Sequence, residues 1–473
     1  MSNHQSGNAS NKSVNKKVVL VLFHNDLRIE DNETLVKAAT LAESKQGSLM
    51  LIYADFLADS IESKDSSQAY HFNEMGAVRQ QFLSESLADL DQSLQRLGNR
   101  LLYLSPSCLS KSHLSSDNVE SASSPFTQLC QLIEQQQVTD ICVSYTADYN
   151  QNKSYVALQS KYPQIIWHSQ STNTLFADLP TQDLPKSFTQ FRKKVEASHD
   201  LLNADDEVAV TPMPKSLPPM PDALIGRSNY LFKALPFDEQ AQQAHSFKGG
   251  ETNAMIHLTH YFDSAAPRTY KTTRNALDDW THSTKFSPWL ANGCLSINTL
   301  LNRLRHYERE VIANESTYWI WFELLWREYF YWYAIEHGRN LFLFKGIGHQ
   351  LPATRFDDQR LQQWQNGTTT YPIVNACMNQ LKQTGYMSNR GRQIVASCFI
   401  HELGLDWRYG ATYFEQHLID YDVASNWGNW QYLAGVGADP RGCRQFNLNK
   451  QTQQYDPNGD FVRQWQGVVG QSG

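Results

Sequence analysis

The sequence predicts an α/β domain, built on a parallel sheet with helices on both faces, followed by an all-helical domain. Its length of 473 residues favours two domains over one. Tryptophan is distributed unevenly, because only Trp167 of the 12 tryptophans precedes residue 250. The two halves of the chain therefore differ in composition, which indicates that they have different tasks.

Short apolar runs alternate with helical stretches in the first half of the chain. Phe82–Leu97 represents the helical stretches. The apolar runs, of which the last is the weakest, are Lys17–Phe23, Leu49–Ala54, Leu101–Leu104, Thr139–Ser144 and Gln164–Trp167. Continuous apolar runs of this length are typical of strands buried on both faces. Strands that alternate with helices predict a parallel sheet wound with helices.

A polar N-terminal segment and a proline-rich segment set the predicted domain boundaries. Residues 1–16 carry no apolar run, so we expect a disordered tail rather than a signal peptide. The α/β domain is predicted at residues 17–175. Residues 176–222 hold seven prolines, which predicts a linker over residues 176–237 with one possible helix at Ser187–His199. The all-helical domain is predicted at residues 238–473, and the Ser-rich stretch Ser105–Pro125 is predicted to be a surface loop.

The second half of the chain shows helical patterns. Thr317–His337 is aromatic nearly all round, as expected of a buried helix. Further helices are predicted at Tyr371–Thr384, Arg390–Leu403 and Ala411–Leu418. The first two of these are followed by the stop signals Gly385 and Gly404.

Composition excludes several classes of protein. The formal net charge is −7, so no global basic field indicates nucleic-acid binding, although a local patch is compatible with it. The seven cysteines show neither zinc-ligand nor disulfide spacing, which favours a reduced, cytoplasmic location. No run approaches the roughly 20 apolar residues of a membrane span. His24–Arg28, rather than GxGxxG, follows the first strand, so the dinucleotide-binding fingerprint is absent.

The run from Asp420 to Trp430 carries the most informative chemistry. It places Asp420 and Asp422 two residues apart, Asn426 four residues later, and tryptophans at positions 427 and 430. Carboxylates and an amide can hydrogen-bond the polar edge of a flavin. A neighbouring indole can donate an electron. Trp407, Trp427 and Trp430 are therefore candidate electron donors, with ordinary core packing as the alternative.

Three other segments allow a functional and a structural interpretation. Glu323, Trp326 and Arg327 share one helix face, and their charges need either each other or a ligand. Ser283–Leu290 combines hydroxyls with a lysine at a helix start, which suits a diphosphate or an ordinary N-cap. Asn389–Arg392 opens a further helix, where Arg392 could meet a carboxylate or belong to a surface basic pair.

The order of these segments resembles the photolyase/cryptochrome flavoproteins, and within them the DASH cryptochromes. The resemblance extends from about Lys17 to about Trp465. The segments that carry it are Tyr270–Asn275, Thr284–Leu295, Ser316–Phe330, Met387–Gln393 and Tyr421–Arg441. The family fold, an α/β domain joined by a long linker to a helical domain, agrees with the prediction from the sequence pattern.

The resemblance implies a non-covalently bound, U-shaped FAD in the helical domain. It places Tyr270, Thr284, Lys285 and Ser287 at the phosphates. Phe286, in the same segment, is a further candidate for cofactor binding. Glu323, Trp326 and Arg327 would line the pocket. Asn389 and Arg392 would lie along the flavin, with Arg392 paired to Asp420. Asp420 and Asp422 would bond the ribityl chain and the ring, and Asn426 would face the flavin N5.

The implied reaction is light-driven electron-transfer repair of cyclobutane pyrimidine dimers, preferentially in single-stranded DNA, by a monomeric protein. The residues expected to carry catalysis are Asn426, Trp430, Trp407, Glu323 and Trp326. The lesion must leave the base stack. Trp326, Glu323, Arg390 and Gln393 would face it, with Tyr432 where repair photolyases carry a second tryptophan. Arginines expected to meet the phosphates are Arg274, Arg390, Arg392, Arg441 and Arg444.

Two positions depart from the family pattern. Thr354 aligns with the third, surface tryptophan of the photoreduction chain, so we expect slow photoreduction or an exit through Tyr432 or another aromatic residue. The second departure concerns the antenna 5,10-methenyltetrahydrofolate, which DASH proteins often bind at the domain interface through an acidic residue. Asp148 could serve, although the usual Glu-rich sequence is missing.

Two other functions remain open. A blue-light photoreceptor would use the same flavin, bind DNA with little repair and act through a partner. Because the sequence ends soon after Trp465, we expect repair or DNA binding rather than dedicated signalling. A flavin oxidoreductase that uses NAD(P)H is disfavoured, since the dinucleotide fingerprint is absent.

Overall fold

A computed structural model of the protein describes residues 17–55, 75–104, 124–198, 207–226, 247–348, 351–438 and 444–466. The predicted N-terminal tail lies outside these ranges, as do residues 105–123 of the predicted Ser-rich loop and residues 227–237 of the predicted linker.

The α/β half contains a five-stranded, all-parallel sheet in the order β3-β2-β1-β4-β5. The strands are β1 (Val18–Phe23), β2 (Ser48–Ala54), β3 (Leu101–Leu104), β4 (Val138–Ser144) and β5 (Ile166–Gln170). All residues of β1 and β2 are buried, as continuous apolar runs in a sheet covered on both faces require. The predicted α/β fold class is confirmed.

The predicted bounds of the fifth strand are wrong. The strand begins at Ile166 and extends to Gln170 rather than spanning Gln164–Trp167. It lies at the sheet edge and pairs with β4 alone, so its side chains are only partly covered. Polar residues such as His168 and Gln170 therefore occupy strand positions that an apolar pattern does not reveal.

Helices cover both faces of the sheet. They are α1 (Glu33–Ser44), α2 (Ala77–Arg96), α3 (Pro125–Gln135) and α4 (Tyr149–Lys161). Helix α5 (Phe188–Ser198) follows in the predicted linker and packs against the helical half through Phe188. Alternate residues of β1 belong to two separate cores. Val19, Val21 and Phe23 pack in the core that includes residues of α1 and α2 and continues into the helical half. Val18, Leu20 and Leu22 pack in the core that includes residues of α3 and α4.

From residue 247 onward the regular elements of the described residues are helices, apart from one isolated bridge between Arg355 and Leu405. The α-helices are α6 (Glu251–Phe262), α7 (Tyr270–Thr273), α8 (Ser287–Ala291), α9 (Ile297–Glu310), α10 (Glu315–His337), α11 (Asp358–Asn366), α12 (Pro372–Thr384), α13 (Asn389–Ser397), α14 (Trp407–His417), α15 (Val423–Ala434), α16 (Leu448–Tyr455) and α17 (Asp460–Gln466). Short 3₁₀ turns occupy Asp222–Leu224, Ala266–Thr269 and Gly338–Phe342.

Several predicted helix bounds need correction. The helix predicted at Arg390–Leu403 is α13 followed by a π-helical turn at Cys398–Glu402. Helix α14 begins four residues before the predicted Ala411, because the Asp406 side chain caps it by accepting from the Arg408 amide at 3.0 Å. Helix α2 begins at Ala77 rather than Phe82. The sequence did not indicate this earlier start, because the first turn is polar and carries no side-chain cap.

Arg28, from the segment that replaces the dinucleotide fingerprint, joins the two halves of the chain. Its side chain is 1% exposed. The guanidinium donates to the carbonyls of Asp31 at 2.8 Å, Thr172 at 2.6 Å and Gly293 at 3.0 Å. Gly293 adopts a positive φ of 69° and leaves no room for a Cβ atom, which would lie 1.8 Å from the Asn25 oxygen. The backbone of the segment after β1 is therefore in direct contact with the backbone of the helical half.

Among the helices of the described ranges, none combines the length and the apolarity needed to span a bilayer.

Replacing Arg28 by Met is expected to lower the free energy of unfolding by about 3–5 kcal/mol, because several buried carbonyls lose a charged donor. Chemical denaturation measures this loss. The matched control is Arg303→Met, which removes a partly exposed ion pair with Asp263 and should cost about 1 kcal/mol or less. Equal losses in the two variants would contradict the structural role of Arg28.

Candidate flavin-binding site

Asp420 lies where three predicted site segments meet. Its side chain is nearly buried, in the turn between α14 and α15. The Arg392 Nη2 atom donates to both carboxylate oxygens, at 2.9 and 2.7 Å, and the Ser287 hydroxyl donates to Oδ2 at 2.7 Å. The structure thus brings α8, α13 and the start of α15 together around one carboxylate, including the Arg392–Asp420 pair that the resemblance implied.

The start of α15 positions the predicted N5-facing amide. Asp422 caps the helix by accepting from the Ser425 amide at 2.7 Å, so one of its carboxylate oxygens has a structural task. Asn426 follows one turn later and is 8% exposed. Its Nδ2 donates to the Ala411 carbonyl on α14 at 3.0 Å, which fixes the orientation of the amide.

The predicted phosphate end gathers positive charge. Lys285 is buried, and its backbone adopts the left-handed conformation with φ of 56°, which is unusual for a lysine and often marks a functional site. The Lys285 ammonium lies 5.2 Å from the Tyr386 ring centroid, and the Arg392 guanidinium lies 5.5 Å from the same centroid. Tyr386 was not predicted as a site residue. Two cations that share one ring form a surface suited to a diphosphate.

The remaining residues of that segment have mixed surroundings. Tyr270 and Phe286 are buried, while the Thr284 carbonyl accepts from His257 Nε2 at 2.8 Å. Phe286 occupies the cap position of α8 without any side-chain capping bond. The alternative of an ordinary side-chain N-cap at this helix start is therefore wrong.

Glu323 and Arg327 of α10 pair with other residues rather than with each other. Glu323 forms an ion pair with Arg274 of the loop after α7. Arg327 Nη1 donates to the Asn173 carbonyl at 2.7 Å. The alternative of an internal Glu323–Arg327 pair is thus wrong. Burial raises the pKa of Glu323, while the charge of the neighbouring Arg274 lowers it.

Glu328 is a structural residue that the sequence analysis missed. It is completely buried and accepts from the Thr174 hydroxyl at 2.5 Å and from the Leu175 amide at 3.0 Å. The carboxylate fastens the segment after β5 to α10. A Glu inside an aromatic helix was visible in the sequence, but its partners lie more than 150 residues away and no local pattern indicates them.

The predicted lesion-facing residues lie on both sides of a ring cluster. The Trp326 ring stacks on Phe188 of α5 at a centroid distance of 3.8 Å and an angle of 13°. The Tyr432 ring meets the Trp326 ring edge-on at 6.0 Å, and the Arg444 guanidinium lies 4.6 Å from the centroid of Tyr432. Phe188, which belongs to the predicted linker, was not identified from the sequence.

The predicted residues of α13 point in different directions. Asn389 is solvent-exposed at the first position of the helix. Arg390 donates to the Asn275 side chain at 3.1 Å and lies 4.7 Å from the Tyr455 ring centroid, whereas Gln393 is partly buried. Arg441 lies outside the described residues.

The predicted electron donors are buried. Trp407 and Trp430 are 0% and 2% exposed. The Trp430 ring packs on Gly410, where an added Cβ atom would lie 2.3 Å from the ring. The Trp407 ring meets the Trp427 ring edge-on at 5.8 Å. Thr354 lies beside the segment that leads into Trp407, since the next residue exchanges backbone hydrogen bonds with Gly404 and Asp406 at 3.0 and 3.1 Å.

Asp148, the predicted folate ligand, lies at the boundary between the two halves. Its Oδ1 caps α4 by accepting from the amides of Asn150 and Gln151 at 2.8 and 3.1 Å. Its Oδ2 lies 3.9 Å from His24 Nε2. The following residue, Tyr149, contacts Phe342 of the helical half with a centroid distance of 6.3 Å. One carboxylate oxygen of Asp148 is therefore committed to the helix cap.

Both halves of the chain match known protein families. The family model described as DNA photolyase matches residues 19–217, and the model described as FAD binding domain of DNA photolyase matches residues 319–469. A cryptochrome DASH of Idiomarina loihiensis is 47% identical over 452 residues, which cover 95% of this chain and 92% of the relative. The chain belongs to the cryptochrome DASH family.

Solved structures agree with the family assignment. A Synechocystis cryptochrome has a TM-score of 0.78 and 35% identity, with 95% of this chain and 88% of that chain covered. A bacterial class III photolyase from Agrobacterium tumefaciens has a TM-score of 0.73 and 27% identity, with coverage of 97% and 88%. The matched FAD-binding region includes Trp326, Arg392, Asp420 and Asn426, while Lys285 precedes it.

The donor set of this site fits FAD. The cation Lys285 suits the phosphates, and the nearly buried Asp420 and Asn426 offer an acceptor and an amide to the polar atoms of the ribityl chain and the ring. Buried polar groups of this kind need partners. Asp420 has Arg392 and Ser287, and Asn426 has the Ala411 carbonyl, so protein contacts orient both side chains.

Asp420→Asn is expected to weaken FAD binding by about tenfold or more, because a neutral amide no longer holds the Arg392 guanidinium by charge-assisted bonds. Flavin content after gel filtration and a fluorescence titration of the apoprotein measure the effect. Asp460→Asn, an exposed carboxylate of α17, is the matched control and should leave affinity unchanged. Undiminished affinity in the Asp420 variant would contradict the assignment.

Proposed function

We propose that this protein is a blue-light-absorbing FAD enzyme that repairs cyclobutane pyrimidine dimers, preferentially in single-stranded DNA. The observation that carries the proposal is the joint position of the flavin-site residues and the lesion-facing residues on α10 and α15. These helices approach closely at Gly428, where an added Cβ atom would lie 2.3 Å from the Phe330 ring. Asn426 and Trp326 therefore belong to two helices in direct contact.

Bound FAD would supply light absorption and one-electron chemistry, and the protein would hold and orient it. Asp420 and Arg392 would fix the ribityl side of the cofactor. The Asn426 amide carries both a donor and an acceptor, so it tolerates a change of protonation in a neighbouring ring. Glu323, whose pKa is raised by burial, would face the lesion beside its ion-pair partner Arg274.

The preference for single strands follows from the cost of base flipping. Extracting a nucleotide from a duplex costs a few kcal/mol of unpairing and unstacking. Phe188 covers one face of the Trp326 ring, and Tyr432 offers a phenol set edge-on to that ring. The stacking surface left for a flipped base is small, which favours a substrate whose bases are already unpaired.

Cations placed over aromatic rings support a nucleic-acid partner. The guanidinium of Arg274 lies 5.8 Å from the Trp319 centroid, and those of Arg390 and Arg444 lie over Tyr455 and Tyr432. Positive charge interleaved with aromatic rings is typical of single-strand binding surfaces. Since the net charge of the chain is −7, DNA binding would depend on this local arrangement and would weaken steeply with salt.

Methenyltetrahydrofolate belongs to the proposal as an antenna near Asp148. The position at the boundary of the two halves supports it, as does the Tyr331 hydroxyl, which donates to the Tyr145 carbonyl across that boundary at 3.3 Å. The carboxylate oxygen of Asp148 that faces His24 would be the atom available to the folate, because the other oxygen caps α4.

Under blue light, the protein should repair a single dimer at least about tenfold faster in a single-stranded oligonucleotide than in a duplex of the same sequence. The duplex adds an unpairing cost of a few kcal/mol. Product analysis after illumination measures the rates, with darkness as the control.

Arg444→Gln should weaken DNA binding and reduce its salt dependence, while Arg303→Gln on α9 serves as the matched control.

Flavin-loaded protein that binds the oligonucleotide but leaves the dimer intact under light would contradict the repair activity. That result would favour the photoreceptor function instead.

A further inference from the structure

A tyrosine, a carboxylate and an indole form a cluster on the side of α15 that faces the α/β half. The Trp427 Nε1 donates to the Tyr421 hydroxyl oxygen at 3.2 Å. Tyr421 and Trp427 both lower the pKa of the Glu415 carboxyl, which places that side chain beside them. We call Glu415, Tyr421 and Trp427 the Tyr421 cluster. None of these three residues has a role in the binding of FAD or of the lesion described above.

The Tyr421 cluster is joined to the predicted electron donors. Trp427 is completely buried, and its ring meets the Trp407 ring at 5.8 Å. It also precedes Trp430 by three residues on α15, so the two indoles are neighbours on the helix surface. Tyr421 is partly exposed and lies at the outer end of this series.

By the family resemblance, Thr354 occupies the position of the third, surface tryptophan of the donor series. The aliphatic side chain of threonine cannot be oxidised by an indole radical, so another residue must serve as the outer donor. We propose that Tyr421 is the terminal electron donor of flavin photoreduction, with Trp427 as the relay and Glu415 as the acceptor of the phenolic proton. This inference rests on the proposed binding of FAD, whose photoexcited oxidised form is the oxidant.

The electrons and protons of the proposed step balance. Trp430 would give one electron to the photoexcited oxidised FAD, and the resulting hole would pass through Trp407 or directly to Trp427. Tyr421 would then return one electron to Trp427 while its O–H proton moves to a Glu415 carboxylate oxygen. The transferred electron would remain on the bound FAD, and the protein would hold a neutral phenoxyl radical on Tyr421, a neutral carboxylic acid on Glu415 and restored indoles.

Other tyrosines near the indoles lack one part of this arrangement. The Tyr413 ring lies 5.4 Å from Trp364, but its hydroxyl donates to the Gln365 backbone carbonyl, which cannot take up a proton. The Tyr432 ring contacts the indole of Trp326, on the predicted lesion side. Tyr421 combines an indole partner with a carboxylate base.

The charges around Glu415 set the pH range in which it accepts a proton. Burial raises the pKa of Glu415 to about 7, Arg79 of α2 lowers it, and Asp148 at the start of α4 raises it. The Arg79 guanidinium lies 4.6 Å from the Tyr421 ring centroid, and His24 lies 3.9 Å from Asp148. Below this pKa Glu415 is already protonated and cannot accept the phenolic proton. The yield of the tyrosyl radical should therefore rise as the pH increases through about 7.

Transient absorption and electron paramagnetic resonance of the FAD-loaded protein test the proposal. The wild-type protein should show a tyrosyl radical, and Tyr421→Phe should remove it and speed charge recombination at least about tenfold. Tyr432→Phe is the matched control and should retain the radical. Glu415→Gln keeps the size of the side chain but cannot accept a proton, so it should lower the tyrosyl yield several-fold and abolish its pH dependence.

Two measurements on the wild-type protein keep the test decisive if a variant does not fold. Ring-deuterated tyrosine should narrow the radical spectrum, and the tyrosyl yield should rise from pH 6 to pH 8, on either side of the Glu415 pKa of about 7. A tryptophanyl radical at every pH, or a tyrosyl radical that survives Tyr421→Phe, would overturn the proposal. FAD-loaded protein that photoreduces by this route without repairing dimers would contradict only the repair activity, whereas protein that binds no FAD would overturn both.

Discussion

The carboxylate of Asp420 is the constraint on which the candidate site depends. It is nearly buried, and an ionised carboxylate in that position needs strong partners. Arg392 and Ser287 provide them from two other helices, so the charge of one residue fixes the relative positions of α8, α13 and α15. Asn426, six residues further along the chain, takes its position from the same turn. Contacts within the protein therefore hold the acidic and basic groups together beside the helix that carries the amide.

Close packing of α10 on α15 forms the other side of the candidate flavin site. Gly428 permits the contact with Phe330, and the Tyr333 hydroxyl donates to the Gln431 side chain at 2.7 Å one turn further on. Long-range polar contacts hold these helices against the α/β half. Arg28 and Glu328 are both buried and both bind the segment at residues 172–175. A site between helices of one half is thus braced by residues of the other.

The fold was largely predictable because its signals are local. Fully apolar strands such as β1 and β2 were placed within one residue, and Gly385 ended α12 as expected. The edge strand β5 was misplaced because its side chains are only partly buried. Helix α14 was placed late because the capping role of Asp406 went unrecognised. These errors occur where burial is partial or where one side chain sets the boundary.

The candidate site was predictable only in part. The resemblance identified Arg392, Asp420 and Asn426, and the structure brings them together. It did not indicate that Glu323 pairs with Arg274, that Phe188 covers Trp326, or that Lys285 and Arg392 both lie over Tyr386, because most of those partners lie far apart in sequence. The binding roles of all these residues depend on one cofactor. The most direct measurement is therefore the flavin content of the purified wild-type protein. We expect about one non-covalently bound FAD per chain, released intact on denaturation. Colourless protein that cannot be reconstituted with FAD would contradict the central claim.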